Sequence, residues 1–194
     1  MSQIGFYHDM TRCIGCKACQ MACKDKNNLD IGIIYRHAQS FETGTYPTPA
    51  PYCYSFNCNH CATPDCFAAC KYGAITKMDD GTVIIDQDTC TGCQDCVTAC
   101  PYSIPQYNAA TNKVGKCDGC YYIRQVGEDV ACASTCPQRA LHFGELSDLQ
   151  AQFGKNATLV NAFPALGMNT ETGPSVLVKL KDAANNTNYS PSIF

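Results

Sequence analysis

Sixteen of the seventeen cysteines fall into four groups, each a C-x2-C pair followed by a C-x3-C pair. The groups are Cys13, Cys16, Cys19 and Cys23; Cys58, Cys61, Cys66 and Cys70; Cys90, Cys93, Cys96 and Cys100; and Cys117, Cys120, Cys132 and Cys136. Thiolates packed this densely are soft ligands suited to iron–sulfur clusters or zinc. The first and third groups match the bacterial ferredoxin run C-x2-C-x2-C-x3-C in every spacing, while the second widens its middle gap to four residues and the fourth to eleven. Zinc sites gather two separated C-x2-C pairs and seldom use three cysteines at this spacing, so iron–sulfur ligation leads and a zinc-binding interaction module is the rival.

A disulfide scaffold fits poorly, because the chain has 194 residues and MSQIGFYHDM lacks the charged-then-apolar layout of a secretory signal. No apolar run nears the roughly 18 residues of a membrane helix, so no direct membrane insertion is expected. With 45% hydrophobic and 16% charged residues the chain should be globular. Its formal charge is −3. Sixteen thiolates on four oxidised clusters would take that to roughly −11, which disfavours nucleic acid and calls for N–H donors and cations around the sulfurs.

Local signals place the groups in an α+β fold. Ile4 to Asp9 reads as a strand entering the first group, and Ala140 to Phe143 leaves the last in a similar way, positioned to pair with it. AITK, MDDG and TVIID read as strand, turn and strand, with Asp80-Gly81 at the turn. Ile104 to Tyr107 and Lys113 to Lys116 predict a second hairpin. Ser147 to Phe153 predicts a helix capped by Ser147 and ended by Gly154. Ser175 to Leu180 predicts a strand, and the Asn-, Ser- and Pro-rich stretch from Ala183 to Phe194 an arm, loose or ordered on another subunit.

The repeat implies pairing of groups. In two-cluster ferredoxins the fourth cysteine of one run serves the other cluster. Four helical residues raise Cys23 roughly 6 Å above Cys19, away from the loop that holds the first three. Glycine precedes the second cysteine at Gly15, Gly92 and Gly119, where Asn59 and His60 stand in the second group; a missing side chain lets the backbone turn tightly there. Pro101 and Pro137 follow the fourth cysteine as in ferredoxins, with Lys24 and Lys71 in the other two places, read as solvated lysines. Cys53, in the aromatic strand Tyr52 to Phe56, is read as a buried free thiol, and His60 as a neighbour of the metal site or a surface group. Lys116 is read as solvated, with contact to a cluster sulfur as its alternative; Tyr102 and Tyr107 are packing residues. No nucleophile elbow, phosphate loop or zinc-protease motif is present, so no catalytic residue is assigned.

Across DMTRCIGCKACQMACKDKN, CNHCATPDCFAAC, GAITKMDDGTVIIDQDTCTGCQDCVTACPYSIPQYN, KCDGC and CASTCPQRALHFGEL, the chain resembles the four-cluster iron–sulfur subunits of molybdopterin oxidoreductases, the family that includes the iron–sulfur subunit of dimethyl sulfoxide reductase. The likeness covers about residues 4 to 150. It implies four [4Fe-4S] clusters in two ferredoxin-like domains, one inserted in the other: residues 1–50 with 108–150, and 51–107, followed by a C-terminal extension, 151–194, as a partner-binding arm. Carried over by position, the ligand sets are Cys13, Cys16, Cys19 with Cys136; Cys23 with Cys117, Cys120, Cys132; Cys58, Cys61, Cys66 with Cys100; and Cys70 with Cys90, Cys93, Cys96. The first of these clusters faces the catalytic subunit in the family. Lys71 departs from the family's proline. The implied role is electron transfer to or from a large molybdopterin (bis-MGD) subunit, with a quinol-binding membrane anchor as a further partner. The location implied is cytoplasmic, or exported folded with a partner bearing a twin-arginine signal, with membrane association only through a partner. A free polyferredoxin is the alternative.

Overall fold

The computed structural model describes residues 2–159, 171–186 and 188–191. In chain order, β1 (Ile4–Asp9) leads through the first cysteine loop into α1 (Ala18–Lys26), followed by β2 (His37–Thr43) and β3 (Ala50–Phe56). Then come α2 (Asp65–Ala68), β4 (Ile75–Lys77), β5 (Val83–Ile85), α3 (Asp95–Ala99), β6 (Gln106–Asn108) and β7 (Lys113–Gly115). The chain continues with α4 (Tyr121–Arg124), α5 (Ala131–Ser134), β8 (Leu141–Glu145), α6 (Leu146–Phe153), β9 (Thr158–Leu159), β10 (Val176–Lys179) and β11 (Tyr189–Pro191).

The fold is mixed α and β, built from short helices that carry cysteines and small sheets that hold them. Strand order in the largest sheet is β8-β1-β10-β9. β1 runs antiparallel to β8, with Phe6 opposite Phe143, and parallel to β10, with Phe6 opposite Val176. All of β1 is buried, because both of its faces are covered. Phe6 joins Val176, Val178 and the cysteine-rich core, while Tyr7 packs with Leu149 and Leu177 beneath α6 and stacks on Phe153 at 4.0 Å between ring centroids. The alternation of a strand explains how a mixed sequence serves two packing layers. The hairpins β4-β5 and β6-β7 form where the turn signals place them.

Three features differ from the sequence reading. Ser147 lies inside α6, whose N-cap is Glu145, so it does not cap the start, and Gly154 keeps a right-handed φ of −61° and continues into a 3-10 turn, Gly154–Asn156, in place of a left-handed stop. Burying Leu149 fixes where that helix sits. β2, unmarked in the sequence, pairs along its length with β3. The tail returns to its own chain: β10 lies inside the main sheet, Ala184 is fully buried in a 3-10 turn, and β11 pairs with Phe41–Thr43 of β2. Residues 187 and 192–194 of the expected arm lie outside the described residues.

Candidate metal centres

Each C-x3-C pair rides on a short helix. α1 carries Cys19 and Cys23, α2 begins the Cys66–Cys70 step, α3 the Cys96–Cys100 step and α5 the Cys132–Cys136 step. α1 packs on α5 and α2 on α3. In the tight groups the residue just before the helix is left-handed, Lys17 at φ 61° and Gln94 at φ 66°. In the widened groups it is extended, Pro64 at φ −78° and Val130 at φ −66°. The residue before the second cysteine is left-handed in all four: Gly15, Gly92 and Gly119 at φ 68°, 75° and 60°, and His60 at φ 42°. The second group thus makes the same turn with a histidine.

These helices gather the cysteines from different groups. Cys13, Cys16, Cys19 and Cys136 line one cavity, together with His8 and Ser55. Cys58, Cys61, Cys66 and Cys100 line a second, with Lys116. Cys70, Cys90, Cys93 and Cys96 line a third. Cys23, Cys117, Cys120 and Cys132 are all buried and close enough to oppose one another's ionisation. Among the described residues, no three Cys, His, Asp or Glu side chains converge tightly enough to hold a single metal ion. In three of the four sets the thiols surround a space.

Burial pushes the Cys23 thiol up to about 12, with Cys132 adding to the effect, and pushes Cys66 up to about 12, with Cys58 adding. Cys61 and Cys96 rise to about 11, chiefly through burial. Four neighbouring thiols in such surroundings ionise together only around a cationic partner. The donor set fits a soft, iron-containing group, and polar contacts are in place to share the sulfur charge. Asn57 Nδ2 donates to Cys117 Sγ at 3.1 Å, and backbone N–H groups reach Cys117 from Gly119, Cys136 from Ala140 and Cys90 from Val114 at 3.3 to 3.5 Å. Ser55 Oγ lies 3.3 Å from Cys19 Sγ.

His60 is fully buried, and burial followed by the Lys116 charge holds its proton affinity well below the ordinary value. Its Nδ1 accepts the Val83 N–H at 3.0 Å, so the neutral ring carries its proton on Nε2, 3.8 Å from Cys117 Sγ. Lys116 is buried, not solvated, and donates to the carbonyls of Val83 and Cys117. Lys24 is likewise engaged, closing the loop after α1 through the carbonyls of Leu29, Asp30 and Ile33. Lys71 is exposed and pairs with Asp95 at 3.1 Å. Cys53 is only half-buried, shares a hydrogen bond with Cys13 and lies 3.5 Å from Ser40 Oγ. Tyr102 bonds Thr172 and Tyr107 bonds Asn112, both as packing residues.

Residues 50–146 match the 4Fe-4S dicluster domain family and residues 10–26 a 4Fe-4S binding domain. Over 188 residues the sequence is 38% identical to a component of the anaerobic dimethyl sulfoxide reductase of Haemophilus influenzae, covering 92% of this protein and 90% of the relative. It belongs to that iron–sulfur subunit family. Other members are the corresponding component of the Escherichia coli K12 reductase, 37% identical over 186 residues (92% and 89% covered), and the thiosulfate reductase electron transfer subunit of Salmonella typhi, 35% identical over 155 (78% and 80% covered). As a member of this family, the chain is an electron-transfer subunit of a multi-subunit molybdoenzyme, and its cofactors are four [4Fe-4S] clusters. No helix among the described residues is long and apolar enough to cross a membrane.

His8, Arg36, Ser55 and Asn57 were not singled out by sequence. Asn57 directly precedes the second group but serves a sulfur of the fourth, and Arg36 stands in a run without cysteines. No spacing rule links either to its site.

Proposed function

We propose that the four clusters are held by Cys13, Cys16, Cys19 and Cys136; by Cys23, Cys117, Cys120 and Cys132; by Cys58, Cys61, Cys66 and Cys100; and by Cys70, Cys90, Cys93 and Cys96. They form a wire between a bis-MGD catalytic subunit and a second redox partner. Each cluster supplies a one-electron site. The chain's part is to order the four sites and shield them from water. Neighbouring helices α1 and α5 join the first site to the second, and α2 and α3 join the third to the fourth. Cys117 joins the second to the third, sharing a buried cluster with Cys58 and accepting from Asn57. The observation that carries the reading is exposure: of the sixteen, only Cys16 and Cys93 are exposed, and they belong to the first and last sites of this order.

The same packing supports a two-unit organisation, residues 1–50 with 108–150 around 51–107. β2-β3 meets the first junction and β6-β7 spans the second. Ile14 and Met21, both exposed near Cys16, suit the first unit to docking on the catalytic subunit. A quinol-oxidising anchor would then meet the Cys93 end, and export would follow a twin-arginine signal on the catalytic partner.

Anaerobic purification from the native host tests this. The chain should come with a large molybdenum-containing protein and about 16 iron and 16 sulfide per chain. Zinc without sulfide would sink the cluster sites, and a stable four-cluster monomer free of any partner would favour a diffusing carrier.

A further inference from the structure

Arg36 differs from the other cations of the chain. It is 1% exposed, and the ion pairs with carboxylates among the described residues involve Lys26, Lys71, Arg124 and Lys179 instead. Its Nη1 donates to Ser55 Oγ at 3.0 Å and, more weakly, to the Ser55 carbonyl at 3.4 Å. The guanidinium lies over the Phe6 ring, 4.6 Å from the centroid. Nε and Nη2 have no partner among the described residues. A buried guanidinium with idle donors and no carboxylate requires another source of negative charge.

The cysteines supply it. Burial works against the charge on Arg36, but negative charge on Cys132, Cys19, Cys117 and Cys23 favours it. Three of these belong to the second site and Cys19 to the first, so the guanidinium is within electrostatic reach of both. Ser55 adds a direct link: its hydroxyl accepts from Arg36 and lies 3.3 Å from Cys19 Sγ, so its own proton is left for that sulfur.

We propose that Arg36 sets the reduction potentials of the first two clusters, acting as a fixed positive charge on both and, through Ser55, on Cys19. A [4Fe-4S] core of charge +2 with four thiolates carries −2 and goes to −3 on accepting one electron, without gain or loss of atoms. A neighbouring cation favours the more negative state, so it raises both potentials. Arg36 is a positioning and tuning residue; it is not a ligand.

The inference rests on the ligand sets proposed above. Its test is a redox titration followed by electron paramagnetic resonance on the intact complex carrying R36M, R36K or S55A. With all four clusters loaded, R36M should lower two of the four midpoint potentials by tenfold or more in the one-electron equilibrium, about 59 mV. R36K should recover most of that loss, and S55A should lower one potential. Four unchanged potentials in loaded R36M, an equal shift of all four, or R36K as low as R36M would overturn the proposal. If R36M fails to retain iron, S55A decides: one lowered potential supports the proposal and none overturns it. Wild-type protein without [4Fe-4S] signals would refute the ligand sets instead.

Discussion

At the scale of single residues, the groups that hold the cysteine loops matter as much as the cysteines. Asp9 accepts from Thr11 N–H at 2.9 Å and from Lys179 Nζ at 3.2 Å, clamping the entry to the first loop onto β10. Burial would raise its carboxyl pKa, but the bonds from Thr11 and Lys179 hold it below the ordinary 3.8. A depressed carboxyl stabilises the fold above its unfolded value and loses that contribution as pH falls through the folded one. Asp9→Asn should therefore cost about 1–3 kcal/mol near neutral pH. The stability gap between variant and wild type should begin to narrow below about pH 4 and close only as pH falls through the depressed folded value. A gap that persists in acid would show that the charge is not what stabilises the clamp.

Backbone shape is as demanding. Gly92 has φ 75°, and an added Cβ would run into the Asn112 carbonyl. Gly92→Ala should reduce iron from about 16 to about 12 per chain by disabling the Cys70, Cys90, Cys93, Cys96 site alone. Gly144→Ala, with open space around it and no positive φ, is the control. Cys53 touches Cys13 but lines none of the three cavities. Cys53→Ala should keep about 16 iron, and a loss of four would make it a ligand.

At the scale of elements, legibility tracked the range of the information. β4-β5 could be read because Asp80-Gly81 and the alternating TVIID lie side by side in the sequence, and β1 and β8 because each abuts a cysteine group. β2 and β11 could not, since a polar strand such as Tyr189–Pro191 gains its meaning from Phe41–Thr43, far away in the chain. Lys116 looked solvated because composition does not reveal that Val83 and Cys117 present carbonyls to it. The tail accordingly divides in two. A chain ending after residue 187 loses β11 and should keep its clusters, whereas one ending after residue 174 loses β10 from inside the main sheet. The second should be recovered as aggregate, measured as soluble iron-bearing protein per cell; equal yields would mean that β10 is dispensable.

At the scale of the whole molecule, the proposed ligand sets order the sites in a row with a buried cation at each of two junctions, Arg36 at the first and Lys116 at the second. The cysteine spacing made the number of sites legible. The proposed order comes from the family resemblance, because Cys117 and Cys58 share one buried cluster although no spacing relates their groups. The charges at the junctions were hidden for the same reason. One consequence lies in the parallel pairing of β1 with β10. β1 leaves the ribosome well before β10, at synthesis rates of about 5–20 residues per second. Until Val176 emerges, Phe6 and Tyr7 keep an open edge. A nascent copy, or one cut short before β10, therefore displays a bare strand edge to chaperones and proteases, and the arrival of β10 conceals it.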